Sequence, residues 1–550
     1  MKDVMKELAA DLKKIVRGDV LADDATLETY SGDYSIFKVR PEAVVFPKDT
    51  ADIKKLVYWV IENKKTNKNL SLTGRSAGTD MSGGPLNDSI IVEFAKYVNK
   101  IKKISADSAV VEPGVYFRDF EKEIAKKGLF YPPYPASKDL CAIGGIVNNN
   151  SGGEKTLKYG KTEKYVEELK VVLSDGEEHE FKRLTGKALS TKLKEKGLEG
   201  DIYRKLYALL EKNYDVIQKA KPKVSKNSSG YALWNVWDKK TFDITKLIVG
   251  SQGTLGLVTE AKLKLLKIKK YNRLVVIFAR SLDPVPELVE TLLRFDPESI
   301  ESYDDRTLGL ALRFLPALLR FMKGGLFTLL WSFLPEAWMV LRGGLPKMVL
   351  LVEFASDDEA EIQKKVQEVK MAVRQFPVQA RAVKDDVEAE KYWTIRRQSF
   401  NLLHSHVKGK DAAAFVDDLI VRPEAMSEFL PQVNAILDRY KDKLLYTIAG
   451  HPGNGNFHII PLVDLNDPEV RRIIPRVTEE IYKLVFRYGG SMSAEHNDGL
   501  IRTPYLELMY GEKIWKLFEE VKRIFDPQNI FNPGKKVGGS AEYSFGHMKL

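Results

Sequence analysis

Cysteine is almost missing from this 550-residue chain, where Cys141 stands alone. One thiol can build no disulfide framework and ligate no iron–sulfur cluster. Long apolar runs are missing as well. The most apolar stretch, 308–345, is broken by Arg313, Arg320, Lys323 and Arg342. Its longest uncharged run, 324–335, has 12 residues, short of the roughly 20 that a membrane-spanning helix needs. The first twenty residues carry charge from Lys2 onward and no apolar core. They do not read as a secretory signal, so the cytoplasm is the expected location. No basic stripe is interleaved with aromatics, which removes nucleic acid as a partner. The net charge of +10 then points to other anions, lipid head groups or an acidic substrate.

What is present is a globular composition, 44% hydrophobic and 29% charged, enough for two or three packed units. Up to residue 270, strand-like runs (43–46 and 90–94) alternate with lysine-rich helical stretches. A helix is predicted over 52–63, begun by Thr50 or Asp52 as its cap. Glycine clusters recur at 74–84, 144–160 and 250–256. Three such loops in one unit suggest a backbone that approaches a large ligand closely. From residue 271 the texture changes to strands (274–278 and 348–354) with an amphipathic helix over 357–375, an α+β pattern. The stretch 308–345 mixes Phe314, Phe321, Phe327, Trp331, Phe333 and Trp338 with basic residues. Such a segment suits the plane of a membrane surface; the alternative is a helical pair buried in the second unit or in a dimer contact.

The first glycine loop, LTGRSAGTDMSGG (72–84), offers successive backbone N–H groups and Arg75 to an anion. It is neither a G-x-G-x-x-G fingerprint nor a P-loop. YPPYPASK (131–138) leads into AIGGIVNNNSGG (142–153), followed by Lys158-Tyr-Gly160, a predicted strand over 166–173, and LIVGSQGTLGLVTE (247–260). In that order, these motifs make the chain resemble the FAD-linked oxidase family, which contains D-lactate dehydrogenases, glycolate oxidase flavin subunits and D-2-hydroxyglutarate dehydrogenases and shares the vanillyl-alcohol oxidase fold. The resemblance implies an α+β architecture: a two-subdomain FAD-binding domain of the PCMH type (1–270), an antiparallel-sheet, ferredoxin-like substrate or cap domain (271–500, with the 308–345 insert), and a C-terminal segment (501–550) that packs back on the flavin.

It also implies residue roles. Arg75, Ser76, Ala77, Gly78, Thr79, Asp80 and Ser82 would wrap the FAD pyrophosphate. Ser137, Gly144, Gly145, Asn148, Ser151 and Gly153 would line the isoalloxazine and ribityl side. Gly160, Val166, Ile248 and Gly253 would border the adenosine end, and Asn532 would return to the flavin. The family usually has Gly-Gly where Ser76-Ala77 stand, often Glu at Gln252, and commonly Ala at Asn150. No residue offers covalent attachment, so the FAD is expected to be non-covalent.

Five of the seven histidines fall between 404 and 496. IAGHPGNGNFHIIP (448–461) reads as strand, tight turn, strand, which sets His451 and His458 at the mouth of one hairpin. Two imidazoles and a carboxylate, Glu495, are the usual ligands of a divalent metal with an open position, here zinc or manganese. In the resembled family the matching residues hold a metal against the substrate and the residue at His496 acts as base. Adjacent residues on an extended segment point to opposite faces, so Glu495 and His496 need an irregular turn to share a site. Arg396, in WTIRR (393–397), sits where the family binds the substrate carboxylate. A family lysine before FVDDLIV (415–421) is absent, with Lys408 or Lys410 as stand-ins. Asn456 would meet the substrate from the turn, and Arg502 to Tyr505 would form another wall.

These types suit removal of a hydride from an α-carbon, which becomes easy as the hydroxyl loses its proton to a metal-assisted neutral imidazole. The resemblance therefore implies an FAD-dependent D-2-hydroxy acid dehydrogenase with D-lactate as leading substrate. Its alternatives are an enzyme like alkyl-glycerone-phosphate synthase and a non-catalytic flavin electron-transfer subunit. With no nicotinamide signature, electrons would pass to a quinone or an electron-transfer protein. An iron–sulfur partner subunit, a homodimer, and peripheral contact with the cytoplasmic membrane face through 308–345 complete the expectations.

Overall fold

The computed structural model describes residues 2–313, 344–385, 388–397 and 410–549. Most of the 308–345 insert, together with Lys408, His404 and His406, lies outside the described residues.

The first unit holds two sheets. Asp19–Leu21, Ala43–Phe46, Ile90–Glu93 and Leu72–Arg75 lie side by side in that order, the last three parallel. Ala43–Phe46 and Ile90–Glu93 are buried throughout, as a strand covered on both faces requires. The helix Thr50–Asn63 packs Ile53, Leu56, Val57 and Val60 against this sheet. Its cap is Asp49, whose carboxylate accepts the N–H groups of Ala51 and Asp52. Neither Thr50 nor Asp52 plays that part. Asp52 is buried and instead accepts the N–H groups of Gly18 and Lys48. The second sheet is antiparallel, in the order Ile101–Ile104, Ser108–Val111, Leu257–Lys264, Val166–Val172, Glu178–Lys182. Each glycine cluster meets the junction of these sheets: one after Leu72–Arg75, one around the short helix Ile143–Asn149, one before Leu257–Lys264.

The second unit is an eight-stranded, largely antiparallel sheet centred on Met348–Ser356 and Ser299–Asp304. Helices Val285–Leu293, Glu359–Ala372, Met426–Asp438 and Pro468–Arg487 build one core on one of its faces. The opposite face carries Val276, Tyr303, Leu351, Tyr392 and Trp393 in a smaller cluster and turns toward the first unit. The chain then goes home. The helix Glu512–Phe525 sinks Ile514, Phe518, Val521 and Phe525 into the first unit's core, at about 1.5–3 kcal/mol for each such side chain. Beyond it the Leu72 N–H donates to the Ile530 carbonyl (2.7 Å) and Asn532 N–H to the Leu72 carbonyl (2.8 Å), extending the parallel sheet.

Polar pins hold the two units in register. Lys155 pairs with Glu353 at 2.5 Å, the Tyr159 hydroxyl donates to Glu298 at 2.9 Å, and Arg397 pairs with Glu154 at 2.6 Å. The described residues include no helix long and apolar enough to cross a membrane.

Candidate functional site

A cavity of about 690 Å³ runs from the glycine-rich loops of the first unit to the histidine hairpin of the second. Its near end is made of backbone. Arg75, Ser76, Ala77, Gly78, Thr79 and Asp80 line it from the first loop, and Ser137, Gly144, Gly145, Asn148, Ser151 and Gly153 from the second. Gly253 joins them from the third. A Cβ on Gly144 would stand 2.6 Å from Ser76 Oγ, so only glycine lets the Ile143–Asn149 helix approach the first loop this closely. A Cβ on Gly145 would meet nothing within 4 Å. That position opens onto the cavity.

Side chains clip the three loops together. The Asp80 carboxylate accepts the N–H groups of Ser82 (3.0 Å) and Gly84 (2.7 Å), the Ser82 hydroxyl, and the Asn149 amide (2.8 Å). Asn148 accepts the Gly253 N–H (3.0 Å) and donates to the Gly144 carbonyl (2.9 Å). Asn532 accepts from Thr73 (2.9 Å) and donates to the Gly84 (3.0 Å) and Gln252 (2.6 Å) carbonyls. Arg75 donates to the Gly32 carbonyl (2.8 Å) and lies over the Tyr30 ring, a buried cation beside the cradle. Five expected contacts do not line the cavity. Ser82 and Asn532 are spent on these clips, Gly160 closes the helix Thr156–Tyr159, and Val166 and Ile248 point into the core.

The far end is built from side chains. In the hairpin of Leu445–His451 and Asn456–Val463, Ala449 faces His458 and His451 faces Asn456, which places both imidazoles on one sheet face. Their Nε2 atoms stand 3.2 Å apart, and Glu495 Oε2 lies 3.5 Å from His451 Nε2. Each Nδ1 is engaged by a carboxylate: His451 by Glu301 (2.5 Å), His458 by Asp417 (3.1 Å), and His496 by the other Asp417 oxygen at 2.7 Å, an ion-pair distance with a poor hydrogen-bond angle. Carboxylates on Nδ1 place the lone pair on Nε2. Two such lone pairs facing each other at 3.2 Å repel unless a proton or cation lies between them. Two nitrogens bound tetrahedrally at about 2.0–2.1 Å from one zinc ion stand about 3.4 Å apart, so His451, His458 and Glu495 fit a divalent cation. Asp418 is near as well, but its Oδ2 already accepts the N–H groups of Glu495 (2.8 Å) and His496 (2.7 Å) and the Ser493 hydroxyl (2.8 Å).

Those three bonds are the irregular turn that neighbouring Glu495 and His496 need. Asn497 extends it with φ of 69° and donates to the Gly250 (2.9 Å) and Asn149 (3.2 Å) carbonyls. Arg502, fully buried, donates to the carbonyls of Met492, Asn497 and Asp417. It braces the turn and is not a pocket wall. Burial lowers the His458 imidazole below its usual range, and that keeps it neutral. Burial acts the same way on His496, yet Asp418 and Asp417 outweigh it and raise that ring to about 9. Two buried carboxylates thus hold His496 protonated at neutral pH, which departs from the expected neutral base; a cation among the ligands would oppose their field.

Arg396 lines the cavity and pairs with Glu301, the carboxylate that also holds His451. Asn456 does not line it. Its amide donates to Asp418 (3.2 Å) and the Leu419 carbonyl (3.1 Å), so the expectation that it faces the substrate is corrected: it is buried framework. Sequence reasoning missed Asp417, Asp418, Glu301 and Lys226. For the aspartates a signal existed, since two adjacent acids inside the apolar run 415–421 are out of place on a buried strand. Glu301 and Lys226 carry none.

Comparison with known proteins agrees with this geometry. A family model described as FAD linked oxidases, C-terminal domain, matches residues 268–536, and one described as FAD binding domain matches 41–182. The chain is 30% identical over 536 residues to a D-2-hydroxyglutarate dehydrogenase of Pseudomonas putida, covering 96% of this chain and 51% of that protein. It thus spans about half the length of that relative and of its Escherichia coli counterpart. It is 26% identical to the glycolate oxidase subunit GlcD of Bacillus subtilis, with 92% and 91% of the two chains covered. Against a D-lactate dehydrogenase of Archaeoglobus fulgidus, identity is 25% with 90% and 91% covered. Among solved structures, 4-ethylphenol oxidase from Gulosibacter chungangensis shares the fold at a TM-score of 0.70 and 16% identity, with 99% of each chain covered. An alkyldihydroxyacetonephosphate synthase does so at 0.67 and 14%, with 96% of this chain and 84% of that one covered.

Proposed function

The chain belongs to the FAD-linked oxidase family, and from that premise we propose that it is an FAD-dependent dehydrogenase of a D-2-hydroxy acid. The observation that carries the proposal is one continuous cavity joining a backbone cradle to His451, His458, Glu495 and His496. The cradle residues from Arg75 to Asp80 and from Ser137 to Gly153, with Gly253, would hold non-covalent FAD. His451, His458 and Glu495 would hold a divalent cation, zinc or manganese. When bound, FAD supplies the acceptor for the electron pair leaving the α-carbon, and the cation lowers the pKa of the substrate hydroxyl.

The chain's own residues do the rest. Arg396 binds the carboxylate and fixes which α-hydrogen faces the cradle. With a cation at His451, His458 and Glu495 opposing the field of Asp417 and Asp418, His496 would be neutral and its Nε2 would accept the hydroxyl proton as the hydride departs, a role worth about 10²–10⁴-fold. Asp417 keeps that ring oriented from behind. D-lactate is the leading substrate. A dicarboxylate such as D-2-hydroxyglutarate, named for several relatives, calls for a second cation. Among the described lining residues, Arg397 is spent on Glu154, itself held by the Tyr134 hydroxyl, and Lys138 on Glu121.

Anaerobic titration with a panel of D-2-hydroxy acids, following flavin absorbance, tests the proposal. Bleaching by D-lactate is expected; a protein that no 2-hydroxy acid reduces would be an electron-transfer subunit or a synthase-like flavoprotein. Electrons would then pass to a quinone or an electron-transfer protein, with 308–345 docking at the membrane. Unchanged co-sedimentation with anionic liposomes after deletion of 309–344 would refute that docking.

A further inference from the structure

We propose that Lys226 is a positioning residue that aims Glu495 at the two hairpin imidazoles, so that the first unit completes the cation site of the second. The inference rests on the metal reading given above. Lys226 lies 269 positions from Glu495 in the sequence, yet its ammonium forms an ion pair with Glu495 Oε1. That bond leaves Oε2 for His451, 3.5 Å away.

The surroundings permit little else. Lys226 is 2% exposed and does not line the cavity, so it cannot reach a substrate. Its other partner is Asn456 Oδ1 at 3.4 Å, and that oxygen is aimed because the Asn456 amide nitrogen is tied to Asp418 and Leu419. The backbone beside it is stitched to the loop that carries Glu495. The Ser228 N–H donates to the Ser493 carbonyl (3.0 Å), and the buried ammonium of Lys161 donates to the carbonyls of Ala494 (2.5 Å) and Asn227 (3.1 Å). Both lysines come from the unit that carries the glycine cradle. The carboxylate ligand is therefore referenced to the cofactor side, while the imidazoles are referenced to the hairpin.

Two effects of Lys226 on a bound cation have opposite signs, and this makes the inference testable. As a like charge it repels the cation; as an anchor it holds the carboxylate in place. The proposal is that anchoring wins. The test is titration of the full-length, FAD-loaded protein with Co²⁺, read by the ligand-field absorption of the metal and independent of turnover. Lys226→Met is expected to weaken Co²⁺ binding about 10–100-fold, the usual cost of losing an outer partner of a ligand. FAD content stays unchanged, and Lys226→Arg recovers most of the loss. Equal or tighter Co²⁺ binding by Lys226→Met overturns the proposal. Should that variant not fold, Lys226→Gln, neutral and of similar length, carries the same test with the same two outcomes. Wild-type protein that binds no Co²⁺ would instead remove the metal reading, and this inference with it.

Discussion

Asp417→Asn is the substitution whose consequences the structure specifies most fully. The carboxylate is buried and faces two imidazoles at once, His458 Nδ1 at 3.1 Å and His496 Nδ1 at 2.7 Å. Burial alone would raise its pKa, but the two rings hold it far below the usual carboxylate range. Asparagine keeps the shape and loses both the charge and one acceptor. Its NH₂ must face an imidazole, and that ring can accept from it only by moving its proton to Nε2. If the ring is His458, a ligand lone pair is lost; if it is His496, the proton acceptor is lost. The charged hydrogen bond to His458 contributes about 1.5–3 kcal/mol, and the buried ion pair with His496 a similar amount, about 3–6 kcal/mol in all. At about 1.4 kcal/mol per decade this corresponds to a fall of 10²–10⁴-fold in the rate of flavin reduction. Because Asp417 does not bind the substrate carboxylate, the loss falls mainly on kcat. Stopped-flow reduction by D-lactate under anaerobic conditions measures it, with FAD content checked by absorbance. A rate within tenfold of wild type in fully loaded protein would refute the account of the imidazoles.

Arg396→Lys replaces a planar fork by a point charge and also weakens the hold on Glu301, so KM for the hydroxy acid should rise about 10–100-fold with kcat less affected; steady-state kinetics decide this. Gly145→Val places methyl groups where nothing lies within 4 Å, and a folded but colourless protein is expected, checked by circular dichroism and visible absorbance. Treatment with a chelator should abolish reduction by D-lactate and leave reduction by dithionite intact; undiminished reduction by D-lactate would mean that the cation is not needed for substrate oxidation. Far from the site, His179 is raised to about 9 by Asp175 and Glu199 against the pull of burial. A raised imidazole stabilises the fold below its unfolded pKa of about 6.5 and loses that contribution as pH climbs through 9. The Tm gap between wild type and His179→Ala should therefore be wide at pH 6 and close by pH 10.

Much of this was legible because it is local. The alternation of Ala43–Phe46 and Ile90–Glu93 with helices, the order of the glycine loops, and the turn between His451 and His458 are written in neighbouring residues. The helix Glu359–Ala372 falls inside the predicted 357–375, with Asp358 as its cap. Errors cluster where a short-range signal met a long-range partner. Asn456 has the composition of a turn residue facing a ligand, but Asp418, 38 residues earlier, takes its amide. Asn497 and Asp498 stand where the family has small residues, and the sequence offers no reason. In the structure Asn497 reaches the Gly250 carbonyl, while Asp498 accepts from Lys536 (2.8 Å) and the Gly230 N–H (2.8 Å).

That last pattern carries a physical consequence. Lys226, Lys161, Lys536 and Arg502 are all buried, and each is matched to a carboxylate or to backbone carbonyls of the loop 492–498 or of the segments beside it. An unmatched buried charge costs several kcal/mol, so such a network tolerates almost no displacement of any member. The loop bearing Glu495 and His496 is therefore positioned by charges drawn from both ends of the chain and not by its own propensity. On the proposed reading the site must hold a proton acceptor at a fixed distance from a separate cofactor cradle, and that needs this kind of bracing, because hydrophobic packing alone leaves polar loops free to slide. The cost is that Lys226 and Lys161 lie hundreds of residues from what they brace, and so no window along the sequence contains them.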